Sequence, residues 1–384
     1  MTGVVPQRLT VVQLIPALES GGAERATLEI GRALVAAGHR SIVVSGGGRL
    51  LERLASERSE HVLLPIGRKS LGSLRHVIAL RKLFVDCRAD IVHARSRLPA
   101  WLGRLALSGL SPRPHFLTTM HGLNTSGWYS AIMARGERVI CVSNTVRDHI
   151  LHHYPRTDPE RLLVIPRGVD PVEFPFGYQP DDEWRRRFFA EFPTLAEAPL
   201  LTLPGRGTRL KGHASAIELL AGLKARGIDV RLLLLGAREA GREGYIAELE
   251  DFARARGVAG QLVISAPRAD VRDVYAVSAL VLQLSTKPEA FGRTVVEALS
   301  LCRPVVGFAH GGVGELLAEL YPAGRVPPGD HAKLTERAAE LLRLAPPISP
   351  LRRYRLADMQ KATLSLYLQI ADARTDDHAD TAAR

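Results

Sequence analysis

The stretch KPEAFGRTVVEALSLCRPVVG, residues 287–307, sets Glu289 and Glu297 eight positions apart. An ionised carboxylate offers two acceptor oxygens, so such a pair suits hydroxyl-rich groups such as a sugar or a ribose. The spacing alone is weak: the chain holds 23 Glu and three pairs at this separation, against roughly 1.4 expected by chance. The surroundings say more. LVLQLS (280–285) is an apolar run of strand length, TKPEAFG (286–292) a loop and RTVVEALSL a helix. Glu289 then falls in a strand-to-helix loop, where Gly292, Arg293 and Thr294 open the helix with amides that lack intrahelical acceptors. Those amides and the helix dipole favour an anion. A carboxylate beside a phosphate would be repelled, so Glu289 is expected on the hydroxyls of a neutral group. Glu297, about one turn in, is expected to reach back toward the same edge.

Three more segments place polar residues just after strands. LLTLPGRGTRLKGH (200–213) ends a strand at Pro204 and follows it with a glycine-rich loop bearing Arg206, Arg209 and Lys211. Glycines let backbone amides approach a phosphate, and the cations neutralise it. The spacing is not that of a nucleotide-hydrolysing P-loop. LESGGAERATLEIGRAL (18–34) puts Gly21 and Gly22 before a helix, where a backbone can approach a ligand closely. FLTTMHGLN (116–124) puts His121 at a strand end, and DIVHARSRLPAW (90–101) does the same for His93, Arg95 and Ser96. The triple glycine of VVSGGGRLL (43–51) lacks a dinucleotide-binding spacing and is expected to be a turn.

The elements that hold these residues alternate. Strands are expected at Leu9–Ile15, Ser41–Ser45, Ile91–His93, His115–Met120 and Val139–Val142, with helices between them at 23–37, 71–86, 98–108 and 144–152. The Pro- and Gly-rich IPRGVDPVEFPFGYQP (165–180) interrupts the pattern. It resumes with strands at 200–204, 230–235, 262–265, 280–284 and 304–308, and helices at 213–226, 243–256, 270–277, 292–301, 312–320 and 331–343. Alternation of this kind predicts two doubly wound α/β domains with parallel sheets. The expected division is 1–175, 176–350, and 351–384 as a C-terminal helix with a flexible tail. Ligands bind at the carboxyl edges of such sheets, so a cleft between the two edges is the expected site.

Composition narrows the class. The 384 residues are 46% hydrophobic and 24% charged, without an apolar run long enough to span a bilayer. The N-terminus is expected as a strand and loop rather than a signal peptide. Three singly scattered cysteines and the lack of C-x-x-C or H-E-x-x-H give no sign of a disulfide framework or metal site. The net charge of +11 is lopsided: residues 1–170 hold 23 Lys and Arg against 13 Asp and Glu, while residues 171–384 hold 28 against 27. A basic half-molecule suits an anionic partner: nucleic acid, a lipid surface or a phosphorylated acceptor. Segment 68–82 is expected as a helix with Arg68, Lys69, Arg75, Arg81 and Lys82 around an apolar stripe. Aromatic residues are 5% of the chain, and there is no zinc-finger or helix-turn-helix pattern, so nucleic acid is not expected.

With these motifs in order, the chain resembles retaining glycosyltransferases of family 4, which have the two-domain GT-B fold. The likeness spans about residues 10–345. It rests on SGGAERATLEIGRAL, GRGTRLKG, PEAFGRTVVEAL, GGVGELL (311–317) and VPPGD (326–330). The resemblance implies that Arg206 and Lys211 hold a donor diphosphate, with Gly22 and the Gly292–Thr294 turn beside it. It implies that Glu289 contacts the donor sugar, Glu297 the ribose, and His121 the sugar being transferred. Gly21, Arg95 and Ser96 are expected on the acceptor side. No metal and no cofactor are implied, the nucleotide sugar, by preference a UDP-sugar, being a co-substrate. DIVHARSRLPAW, YSAIMARGERVICVS (129–143) and IPRGVDPVEF are similar to bacterial enzymes of lipopolysaccharide core or surface-glycan synthesis. That implies a glycan or glycolipid acceptor and a cytoplasmic protein at the inner face of an anionic membrane. Two departures stand out: Arg303 precedes P-V-V where the family often has Gly, and LPGRGTR is glycine-richer than usual. A GT-B epimerase or hydrolase of nucleotide sugars, a basic nucleic-acid-binding protein and a catalytically inactive scaffold are the alternatives.

Overall fold

The structure is a computed structural model that describes residues 8–19, 21–68 and 71–382. Contacts divide the chain into two units, one made of residues 1–167 and 356–384 and the other of residues 168–355.

In the first unit, seven described strands form one parallel sheet. They are β1 (Thr10–Leu14), β2 (Arg40–Ser45), β3 (Glu60–Leu63), β4 (Ile91–Ala94), β5 (His115–Met120), β6 (Arg138–Cys141) and β7 (Leu162–Val164). Their order is β3-β2-β1-β4-β5-β6-β7, with Val11 opposite Ser41 on one side and Ile91 on the other. The central strands are buried on both faces, as expected when helices cover both sides of a parallel sheet. The order reverses between β1 and β4, which opens a crevice at their carboxyl ends.

The second unit repeats the design with β8 (Leu200–Pro204), β9 (Arg231–Leu235), β10 (Leu262–Ile264), β11 (Leu280–Gln283), β12 (Val305–Phe308) and β13 (Arg325–Val326). The order is β10-β9-β8-β11-β12-β13, and its reversal lies between β8 and β11. The loops carrying Lys211 and Glu289 follow these two neighbours.

The expected α/β class and both parallel sheets are observed. The edge strands β3, β7 and β13 and the helices Leu51–Ser56 and Asp182–Glu191 were not expected. Strands of two to four residues are too short to show a periodicity. The chain passes between units at Arg167 rather than at 175, and residues from 356 onward return to the first unit instead of standing apart. The last helix runs Leu356–Ala382, so the stretch from 374 expected to fray continues it; residues 383–384 lie outside the described residues. Leu366, Tyr367 and Ile370 of that helix are buried against Leu9, Ile30 and Ile140. Each fully buried side chain of this size contributes about 1.5–3 kcal/mol, enough to make the helix part of the first unit's core.

Candidate active site

In the second unit, three loops meet at the carboxyl edge. The loop after β8 ends at Gly212, whose φ of +78° caps the helix His213–Ala225. A Cβ on Gly212 would lie 1.9 Å from the Leu284 carbonyl oxygen, so only glycine lets this loop rest on the end of β11. The Thr286 amide then donates to the Leu210 carbonyl at 2.9 Å. The loop after β12 is held similarly. Gly312 donates its amide to the Glu289 carbonyl at 2.8 Å, and His310 Nε2 bonds the Ser285 carbonyl at 2.8 Å.

This stitching brings Lys211 and Glu289 together. Lys211 Nζ donates to Glu289 Oε1 at 2.6 Å, and the Ser285 hydroxyl donates to the same oxygen. Burial pushes the Glu289 carboxyl up. The charge of Lys211 and hydrogen bonds from Lys211, Ser285 and Gln283 outweigh it, and the net pKa lies below the ordinary carboxylate value. Glu289 is therefore ionised at neutral pH. Arg206 is exposed at the start of the same loop. Arg209 leaves the group it was expected to join: it pairs with Glu248 and stacks over Tyr245, its carbon 5.2 Å from the ring centre.

Gly292 adopts φ +105° and precedes the helix Arg293–Ser300. A Cβ there would meet Val313 Cγ2 at 2.7 Å, so the helix start is drawn tightly against the helix Gly311–Leu320. Thr294 is half-buried. Glu297 is buried and accepts from Arg293 Nε at 2.9 Å, so an approaching ribose would have to share that carboxylate with Arg293. Ser285 and His310 belong to this group and were not anticipated. Their only signal is position: Ser285 ends the run LVLQLS, and His310 precedes a double glycine.

In the first unit, the expected residues lie at the ends of β1, β4 and β5, which are neighbours. His121 Nδ1 faces Arg167 Nη2 in a hydrogen bond. A guanidinium only donates, so Nδ1 holds a lone pair and the proton sits on Nε2. Burial, then the charges of Arg167, Arg95 and His93, hold the His121 pKa well below its usual value. Its Nε2 is buried with no hydrogen-bond partner among the described residues.

Arg95 is not open to a ligand. It is buried, and its Nε donates to Gln13 Oε1 at 2.8 Å, while Gln13 Nε2 donates to the Thr27 carbonyl at 3.0 Å. The residue expected on the acceptor side instead ties β4 to β1. Ser96 is half-buried at the N-cap of the helix Arg97–Leu107 and makes no capping bond. Gly22 faces open space, whereas a Cβ on Gly21 would lie 2.3 Å from a carboxylate oxygen of Glu24. That acid leans over the start of the helix Gly22–Ala36 and already places a negative group there. His93 is wholly buried between Tyr367 Oη at 2.6 Å and Thr119 Oγ1 at 2.7 Å. No local pattern pointed to Tyr367, 274 residues from its partner.

Among the described residues no three His, Cys, Asp or Glu side chains gather as a metal-binding group. No described helix is long and apolar enough to cross a membrane.

Residues 20–173 match the family described as Glycosyltransferase Family 4, and residues 185–355 match Glycosyl transferases group 1. The alpha-maltose-1-phosphate synthase of Mycolicibacterium smegmatis is 28% identical over 250 residues, covering 60% of this chain and 62% of that one. The chain's matches span between 39% and 62% of the lengths of its curated relatives. The crystal structure of a glycosyltransferase from Rickettsia africae superposes with a TM-score of 0.84 at 26% identity, covering 94% of this chain and 98% of that one. The Anabaena protein Alr3699/HepE, crystallised with UDP and glucose, gives 0.77 at 20% identity, covering 94% and 99%. The chain thus carries a Glycosyltransferase Family 4 region and a Glycosyl transferases group 1 region on two parallel-sheet units of the GT-B fold.

Proposed function

We propose that the protein transfers a sugar from a nucleotide sugar to a hydroxyl of a glycan or glycolipid. The observation that supports this best is the Lys211–Glu289 pair at the β8/β11 switch point, with Arg206 exposed beside it. In this reading Arg206 and Lys211 take the donor diphosphate, and the amides of Gly292, Arg293 and Thr294 face its negative charge. Glu289 accepts from hydroxyls of the donor sugar and Glu297 from the ribose. His121 lies near the transferred sugar in this reading. The bond from the anomeric carbon to the phosphate oxygen breaks, and its electron pair leaves with the nucleoside diphosphate. The acceptor oxygen forms the new bond, and its proton passes to the departing diphosphate. The cations and amides stabilise the charge that develops on the leaving group.

The reaction is proposed to retain anomeric configuration, on the resemblance to retaining glycosyltransferases alone, and to need no metal or further cofactor, because Arg206, Lys211 and the helix start would carry the diphosphate charge in this reading. The donor is proposed as a UDP-sugar; the Anabaena protein of the same fold was crystallised with UDP and glucose, an analogy of fold only. The acceptor is proposed as a lipopolysaccharide core or related surface glycan, presented at the cytoplasmic face of an anionic membrane. The positive first half of the sequence and its likeness at residues 90–101 and 129–143 support that reading.

A thermal-shift panel of UDP-, GDP- and ADP-sugars on wild type and Lys211→Ala tests the donor. A ligand at 100 times its Kd stabilises by about 2.7 kcal/mol. A shift with UDP-sugars that the variant loses supports the reading. Absence of any shift overturns it, and donor turnover without an acceptor would make the protein a hydrolase or epimerase.

A further inference from the structure

Segment 68–82, expected as one helix, is observed as a short turn Leu71–Leu74 followed by the helix Arg75–Asp86; Lys69 lies outside the described residues. The inner face of this helix buries His76, Leu80 and Phe84. Its outer face is unusual for a soluble unit. Leu74 is 60% exposed, Ile78 75% and Val85 57%. At about 100° per residue these three fall within roughly 40° of one another, a single outward stripe. Arg81 borders the stripe on one side, and Lys82 and Arg75 on the other, all exposed. Arg81 also fastens the helix to its neighbour, donating from Nε to the Ala106 carbonyl at 3.2 Å. That neighbour, Arg97–Leu107, adds Leu105, 44% exposed.

We propose that the outer face of Arg75–Asp86 docks the first unit onto an anionic lipid bilayer. An apolar stripe flanked by cations is what an interfacial helix needs: the aliphatic groups enter the headgroup–acyl boundary and the cations stay among anionic headgroups. Charge complementarity selects this occupant. A second copy of the chain would set Arg75, Arg81 and Lys82 against themselves, whereas an anionic surface is attracted by them and by the net charge of +10 on residues 1–170. Asp86, paired with Lys82 at 3.0 Å, offsets one of these charges in part. The face rests on the reading that the acceptor is a membrane glycolipid, and it adds the surface by which the protein reaches it.

The test is flotation of the full chain with vesicles of phosphatidylcholine alone, or of equal parts phosphatidylcholine and phosphatidylglycerol. Wild type, Ile78→Ser/Val85→Ser and Arg75→Gln/Lys82→Gln are compared, with UDP-sugar thermal shifts and size-exclusion chromatography on each. These positions are exposed, so the variants should fold. Binding is expected only with phosphatidylglycerol, and weaker at high salt. Loss of both cations should weaken it about 25-fold, and loss of both aliphatic groups about tenfold or more. Donor-induced shifts should be unchanged in both variants. Absence of binding, binding to phosphatidylcholine alone, or binding unaffected by either double substitution overturns the face. So does a wild-type dimer that Ile78→Ser/Val85→Ser converts to monomer. Vesicle binding without any donor shift would keep the face and remove the transferase reading; the reverse would do the opposite.

Discussion

Lys211 and Glu289, 78 residues apart in sequence, neutralise one another across the β8/β11 switch point at 2.6 Å. The pair keeps Glu289 ionised against the cost of its burial, and it leaves the lysine beside the loop proposed to take phosphate. Lys211→Ala is expected to lower kcat/KM by about 2–4 kcal/mol of transition-state stabilisation. Both side chains remain about a quarter to a third exposed, so stability should change by only about 1 kcal/mol or less. The wild-type kcat/KM profile should show no acid limb at the ordinary carboxylate value. In Lys211→Ala burial is no longer opposed by the ammonium, and a limb should emerge at higher pH. Wild-type kcat/KM in the variant would refute the assignment.

Arg167 is expected to hold His121 in one tautomer. Nitrogen-15 chemical shifts of His121 should report a proton on Nε2 and none on Nδ1, with no titration near 6.5. Arg167→Met removes the nearest cation, so the His121 pKa should rise even though burial still lowers it. kcat/KM should then acquire a new acid limb, which Arg167→Lys largely suppresses. An unchanged His121 titration in Arg167→Met would show that the guanidinium does not set its protonation.

His213 begins the helix after the Lys211 loop and is buried, which pulls its pKa down to about 4 against mild opposition from hydrogen bonds to the Gly205 and Thr208 backbone. A depressed pKa contributes stability that is fully present above the unfolded value of 6.5 and is lost as pH falls toward the folded one. Between pH 6.5 and about 4 this loss should reach about 3 kcal/mol. Urea unfolding of wild type and His213→Asn across that window should show the difference in stability between them shrinking as pH drops. A constant difference would mean that His213 titrates normally.

Tyr367 connects the last helix to His93 inside the first unit. Tyr367→Phe keeps the ring and leaves a buried imidazole nitrogen unsatisfied, at a cost of about 1–3 kcal/mol. Tyr367→Ala adds a cavity and should cost about 3–5 kcal/mol. Denaturant midpoints of the two variants check this order. Equal midpoints would place the helix outside the cooperative core.

The amino-acid sequence by itself determined the alternation of strands and helices. It placed Arg206, Lys211, Glu289, Gly292 and His121 in loops just after strands, because periodicity and turn residues act over a few neighbouring positions. It could not give the order of strands in a sheet, which depends on contacts between residues far apart. That order puts β8 beside β11 and so makes Lys211 a partner of Glu289, a pairing invisible in either motif read alone. The same reason explains Arg95. A basic residue at a strand end looks available for a ligand until β1 supplies Gln13 next to it and the last helix covers it. Tyr367 lies in an ordinary amphipathic stretch whose role appears only when the chain returns, 274 residues later, to the histidine it contacts. The short edge strands were missed because they are stabilised by their neighbours in the sheet rather than by any pattern of their own.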